Sequence, residues 1–198
     1  MLVLLDTSED LAICAGELDC DVGQLLTPLT RFTLQHSELP WAIDNGAFSR
    51  FEEKSFLSLL QREKHHKANC IFVAAPDVVG SARRTLEVFG HWKGRLASWP
   101  IALVIQDGQQ DLLIPWDDIA AIFIGGTTQF KISDHANCCI KAAKMLGKWV
   151  HVGRVNDPAR FEHFEELGAD SIDGAGLSRY SHMREAISKR DSQQKLGI

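Results

Sequence analysis

Ile101-Ala102-Leu103-Val104-Ile105-Gln106-Asp107-Gly108 is the stretch that decides how this chain folds. Its first five residues are apolar without alternation, the pattern of a parallel strand covered on both faces. The run then stops on an amide, a carboxylate and a glycine. The same sequence of events recurs along the chain. Trp41-Ala42-Ile43 runs into Asp44-Asn45-Gly46, and Ile71-Phe72-Val73-Ala74-Ala75 into Pro76-Asp77. Ala121-Ile122-Phe123-Ile124 runs into Gly125-Gly126-Thr127, Trp149-Val150-His151-Val152 into Gly153-Arg154, and Ser171-Ile172 into Asp173-Gly174. Between these runs lie helical patterns. Residues 52–67 place Phe56, Leu57, Leu59 and Leu60 among charges, and 81–92 place Leu86, Val88 and Phe89 likewise; 132–146 and 158–167 repeat the pattern. Asp157-Pro158 is a capping side chain followed by proline in the first turn, while Gly147 and Gly168 stand where helices stop.

Counting apolar runs yields eight candidate strands, at residues 2–5, 31–34, 41–44, 71–75, 101–106, 122–125, 150–153 and 171–173. Strand–helix alternation predicts an α/β fold. The expectation is a compact TIM-type (β/α)8-like barrel in a single domain over residues 1–187, with a polar, frayed tail at 188–198. An open doubly wound sheet shares the pattern. The chain has 198 residues, below the roughly 250 usual for such a barrel, so short or missing helices are expected.

Hydrophobic residues make up 45% and charged residues 24%, an ordinary globular balance, and no apolar run is long enough to span a bilayer. Residues 1–5 lack a basic flank and meet Asp6 at once, which suits a buried first strand rather than a signal peptide. A soluble, cytoplasmic protein with no membrane contact is expected. The five cysteines, Cys14, Cys20, Cys70, Cys138 and Cys139, form no C-x-x-C pair and no zinc-ligand spacing, so neither a metal nor a cofactor is predicted. The net charge of -5 argues against a generic, charge-driven nucleic-acid binder but leaves room for a local basic patch. Arg50, Arg83, Arg84, Lys93, Arg95, Arg154 and Arg179 are the candidate phosphate contacts.

In a parallel barrel all C-terminal strand ends open onto one mouth, so scattered polar residues converge. Asp44 and Asp173 are the candidate catalytic pair, since two carboxylates facing a pocket can cleave a glycosidic bond. Each alone also fits a turn or a helix cap. Asp77, Gln106 and the Gly125-Gly126 backbone carry the acceptors and donors that read the edge of a planar heterocycle. His151, within an apolar strand, reads as a hydrogen-bonded core histidine before a ligand or proton carrier.

Taken in order, these residues resemble the tRNA-guanine transglycosylases and their DNA-acting relatives, the 7-deazaguanine DNA transglycosylases. Asp44-Asn45-Gly46-Ala47-Phe48 is similar to that superfamily's D-S-G-G-F element, and Pro76-Asp77 stands at its base-reading aspartate. Val104 to Gly108 resembles V-Q-G-G, Gly125-Gly126 its double glycine, and His151-Val152-Gly153-Arg154 its M-G-V-G loop. Ser171 to Arg179 resembles the F-D-x-x-x-P-T-R element that carries the nucleophile. The resemblance implies Asp173 as nucleophile at C1′ and Asp44 as general acid or base. It implies substrate contacts from Asn45, Phe48, Asp77, Gln106, Gly125, Gly126, Gly153, Arg154 and Arg179. The choice of nucleophile between Asp44 and Asp173 rests on the motif. The superfamily's cysteine-rich zinc-binding extension has no counterpart, which favours the compact DNA-acting branch. Leu177 and Ser178 replace a proline and a threonine, and Asp107 replaces a glycine and adds a charge near the pocket.

The expectation is therefore a transferase that exchanges guanine in DNA for a 7-deazaguanine base, alone, as a homodimer or with an accessory protein. The alternatives are the same exchange on tRNA, a nucleoside or nucleotide N-glycosidase, and a non-catalytic binding subunit.

Overall fold

Eight parallel strands close on themselves in chain order, β1 pairing with both β2 and β8. The computed structural model describes residues 1–6, 11–18, 20–30, 34 and 36–196. The strands are β1 (Leu2–Leu5), β2 (Val22–Leu26), β3 (Trp41–Ile43), β4 (Cys70–Ala74), β5 (Ile101–Ile105), β6 (Ala121–Ile124), β7 (Trp149–Val152) and β8 (Ser171–Asp173). The helices are α1 (Leu11–Leu18), α2 (Glu53–Glu63), α3 (Ala82–Trp92), α4 (Thr128–Lys131), α5 (Asp134–Met145), α6 (Pro158–Glu166), α7 (Ala175–Arg179) and α8 (Ser181–Leu196). The closed barrel, not the open sheet, is the architecture.

The shortness of the chain is absorbed at particular connections. Among the described residues no helix joins β2 to β3, and β5 reaches β6 through two 3₁₀ turns, Gln109–Asp111 and Trp116–Asp118. Helix starts follow local chemistry: Ser81, Thr127, Ser133 and Asp157 each accept a backbone N–H of the first turn of α3, α4, α5 and α6.

The strands alternate faces although they are apolar throughout. Leu4, Leu25, Ala42, Phe72, Ala74, Ala102, Val104, Ala121 and Phe123 fill the barrel interior. Their neighbours, including Val3, Leu5, Trp41, Ile43, Leu103, Ile105, Ile122 and Val150, pack outward under the helices. Truncating an interior ring such as Phe72 costs about 3–5 kcal/mol. Strand parity also sends His151, Ser171 and Asp173 inward, so one side of the interior is polar.

Two sequence expectations change. The second strand is Val22–Leu26 rather than 31–34, and residues 31–33 lie outside the described residues. Gly23 and Gln24 interrupt the apolar run and hide the strand; Gln24 is buried, and its Oε1 accepts the His36 N–H at 3.1 Å. Residues 188–196 belong to α8, which runs to Leu196. Polar contacts dock this helix: Arg184 reaches Glu17 at 2.5 Å and the Leu177 carbonyl at 2.6 Å, and Ser188 donates to the Glu17 carbonyl at 2.6 Å.

Candidate active site

Five strands end near an aspartate: Asp6 after β1, Asp44 after β3, Asp77 beyond β4, Asp107 beyond β5 and Asp173 at the end of β8; all but Asp107 line the mouth. One cleft there is walled by Asp44, Asn45, Phe48, Asp77, Gln106, Gly125, Gly126, Arg154 and Asp173, with Val79, Val104 and Phe123 as its apolar lining. An adjoining cavity of about 590 Å³ shares Asp44, Phe48, Arg154 and Asp173 and adds Asp6 and Arg179. Of the eleven residues that the sequence nominates, only Gly153 walls neither space.

Gly153 sits behind the wall. A Cβ there would lie 2.6 Å from the Phe123 ring and 3.3 Å from Asp173 Oδ1, so the close approach of β7 to Asp173 requires glycine. Asp173 is 15% exposed, and its two oxygens are treated differently. Oδ1 accepts from His151 Nε2 at 3.0 Å and from the Arg154 backbone N–H at 3.2 Å. Among the described residues no donor to Oδ2 is recorded. His151 is fully buried, as the core reading anticipates, with Phe72 and Phe123 rings at 4.9 and 4.6 Å. It is also a direct partner of the candidate nucleophile, which that reading did not contain. Inward strand parity and an adjacent β8 were the signals available for it.

Asp44 is partly buried and close to other negative charge. Burial pushes its carboxyl up to about 7; the Gly46 N–H opposes this, and the charges of Asp173, Asp77 and Asp6 add to it. A carboxyl that titrates near neutrality suits proton transfer in both directions. Asp6, at the rim, is also raised, first by loss of surrounding water and then by Asp173, against the pull of Arg179. Asp6 was legible by the same strand-end rule and was not nominated.

Asp77 is held on both oxygens. Asn45 Nδ2 donates to Oδ1 at 2.8 Å and Gln106 Nε2 to Oδ2 at 2.5 Å. Burial raises its carboxyl while these two amides pull it back. The amides are braced in turn: Asn45 also donates to the Ala75 carbonyl and accepts the Ala47 N–H, both at 2.7 Å, and Gln106 Oε1 accepts the Gly80 N–H at 3.0 Å. Gln106 therefore spends one amide hydrogen on Asp77, and among the described residues no acceptor is recorded for the other.

Arg154 has a left-handed backbone, φ 58, which costs a non-glycine residue on the order of 1 kcal/mol. Its guanidinium donates to the Gly126 carbonyl at 2.5 Å and lies 4.1 Å over the Phe48 ring. Phe48 itself is 65% exposed, so it belongs to the mouth and not to the core. Gly126 has φ +74, and a Cβ there would meet Asp107 Oδ2 at 2.6 Å. Asp107 does not face the cavity. Both its oxygens cap the β6–α4 turn, accepting Thr127 N at 2.9 Å and Thr127 Oγ1 at 2.8 Å.

The basic candidates divide. Arg154 and Arg179 stand at the mouth. Arg50, Lys93 and Arg95 are engaged with Glu52, Asp118 and Glu53 at 2.7, 2.7 and 2.8 Å. Arg83 and Arg84 are exposed in the first turn of α3. Among the described residues no group of three or more His, Cys, Asp or Glu side chains could hold a metal, and no helix is long and apolar enough to cross a membrane.

No protein family and no curated protein matches this chain. Its fold does match solved structures. A chain of the BexX/CysO complex of Amycolatopsis orientalis is 14% identical, with 99% of this chain and 89% of that chain covered and a TM-score of 0.57. Phosphoribosyl anthranilate isomerase from Thermus thermophilus is 13% identical over 98% of each chain, with a TM-score of 0.49. The likeness to the first is one of fold alone.

Proposed function

We propose that this protein is a base-exchange transglycosylase that replaces guanine in DNA with a 7-deazaguanine such as 7-cyano-7-deazaguanine. The observation that carries the reading is the pairing of Asp44 with Asp173 around one cavity. One carboxyl is raised to about 7, and the other has an oxygen that no donor among the described residues reaches. Asp173 attacks C1′ and forms a C1′–O ester bond as the C1′–N9 bond breaks. The electron pair leaves with N9, and the protonated carboxyl of Asp44 supplies the proton that neutralises the departing guanine. A 7-deazaguanine then enters, its N9 attacks C1′, the ester breaks, and the N9 proton returns to Asp44. Two displacements retain the configuration at C1′.

Asp77 and the remaining amide hydrogen of Gln106 read the purine edge, with Val104 and Phe123 against its faces and Phe48 at the rim. A target base in duplex has to leave the stack to reach this depth. Arg154 and Arg179 are the phosphate contacts nearest the sugar site.

A second reading follows from one observation. Three of the seven candidate phosphate contacts are neutralised within the chain, which favours a smaller substrate, a nucleoside or nucleotide whose C1′ ester is resolved by water. The test is label exchange. Guanine-labelled DNA and labelled tRNA are incubated separately with the protein, with and without 7-cyano-7-deazaguanine. Loss of label from DNA that requires the added base supports the proposal, and loss from tRNA alone overturns the choice of DNA. Base release without incorporation, on nucleosides, supports the second reading. Tight binding with no release on any substrate leaves a binding subunit.

A further inference from the structure

We propose that Lys131 and the buried chain Trp149–Ser171–His151 are positioning residues that turn one chosen oxygen of Asp173 toward the sugar. None of the four walls the mouth. The inference rests on the reading of Asp173 as the nucleophile and extends it to residues to which the resemblance assigns no role.

The first arm runs through the barrel interior. Trp149 Nε1 is only a donor, so Ser171 Oγ accepts there, at 2.8 Å. The hydroxyl hydrogen of Ser171 is then available to His151 Nδ1, 2.9 Å away. His151 keeps its hydrogen on Nε2 and gives it to Asp173 Oδ1. A doubly protonated ring would present a second N–H to Ser171 Oγ and leave the serine hydrogen without a recorded acceptor. Ser171 and His151 are both fully buried, where an unmet polar hydrogen is costly. Phe72 and Phe123 hold the ring between them, so it does not turn over.

The second arm is a single peptide group. The carbonyl of Gly153 accepts Lys131 Nζ, and the N–H on the same peptide, that of Arg154, donates to Asp173 Oδ1. A cation at one end of this peptide plane and a carboxylate at the other lock its orientation. Lys131 is 1% exposed, and among the described residues the Gly153 carbonyl is the one acceptor recorded for it. The charges that face it are Arg154, Asp173 and, from α6, Arg160; burial pushes its ammonium down to about 8. A buried ammonium with one acceptor is a poor stabiliser, and an apolar side chain of similar length serves packing as well or better. The residue makes sense through what the peptide does for Asp173. With both donors from the described residues on Oδ1, Oδ2 is the attacking atom.

The test uses Lys131→Met, His151→Gln, His151→Leu and Ser171→Ala in the full chain, with exchange kinetics, thermal melts and ¹⁵N spectra of the histidine rings. Lys131→Met is expected to melt no lower than the natural protein while kcat falls by on the order of 10²-fold at unchanged KM, the scale of a small misplacement of a reacting group. His151→Gln keeps an N–H for Asp173 and is expected to retain about tenfold more kcat than His151→Leu. Without any substrate, the ¹⁵N spectrum shows His151 protonated on Nε2 alone, and Ser171→Ala mixes in the other tautomer. Natural kcat in Lys131→Met, or a loss of kcat that only tracks a lower melting temperature, overturns the second arm. A proton on Nδ1 overturns the first. The spectra need no activity, so absence of exchange in the natural protein sinks the transglycosylase reading while the positioning geometry is still judged.

Discussion

Asp77 and Asp173 stand across the barrel from each other, beyond β4 and at the end of β8, and the fold holds them in opposite ways. Asp77 has an amide on each oxygen, from Asn45 and from Gln106. Asp173 has two N–H groups on one oxygen and, among the described residues, none on the other. A carboxylate gripped at both ends is a fixed acceptor whose remaining lone pairs have set directions, which suits recognition. A carboxylate gripped at one end presents an oriented but unspent oxygen, which suits attack. Two identical side chains at equivalent strand ends thus acquire different chemistry from the donors around them. Asp44 lies between these cases, with one backbone N–H and a carboxyl raised to about 7 by burial.

The sharpest way to break this contrast is to remove the attacking group. Asp173→Ala is expected to lower base exchange by at least about 10⁴-fold while leaving the circular dichroism spectrum unchanged. A folded variant with appreciable exchange would return the nucleophile's role to Asp44.

Asp44→Asn comes next, with an expected loss of roughly 10²–10³-fold. The natural protein should show a break near pH 7 in its rate profile, and the variant should lack it. The stability consequence has a definite sign. A carboxyl raised from 3.8 to about 7 binds more protons folded than unfolded, so this group's contribution is favourable at low pH and is lost as pH rises through that window. Chemical denaturation at pH 8 should therefore find Asp44→Asn more stable than the natural protein, by on the order of 2–4 kcal/mol. No gain at pH 8 would mean that Asp44 is not desolvated as described.

Changes on the gripped side should act on selection rather than on the chemical step. Gln106→Ala is expected to raise KM for the incoming base by about tenfold, weakening choice of base more than binding of DNA. Equal losses in both would count against base reading through the Asp77 pair. Phe48→Ala should have the smallest effect, about threefold in KM, since it removes one exposed ring and its contact with Arg154. A large fall in kcat from this change would move Phe48 from the rim into the reaction.

The legibility of this protein follows from which interactions are local. Seven of the eight strands show in the sequence because a strand buried on both faces is an unbroken apolar run with a polar stop. β2 does not show, because Gly23 and buried Gln24 answer to neighbours distant in the chain. α8 does not show as a docked element, since Arg184 and Ser188 hold it to α1 by hydrogen bonds rather than by an apolar stripe alone. Ten of the eleven nominated residues wall the mouth for the same geometric reason, strand ends of a parallel barrel being neighbours in space.

Sequence alone thus determined most of the strand grammar, the α/β class and the set of polar residues delivered to one end, while closure of the sheet into a barrel came with the structure. Only the tertiary structure decided what each carboxylate does there. It turned Asp107 away to cap a helix turn, gave Asp77 two amides, lifted Asp44 toward neutrality and backed Asp173 with His151, Ser171 and Lys131. Those roles depend on burial and on donors tens of residues away, and neither property is written in the side chain or in its immediate neighbours.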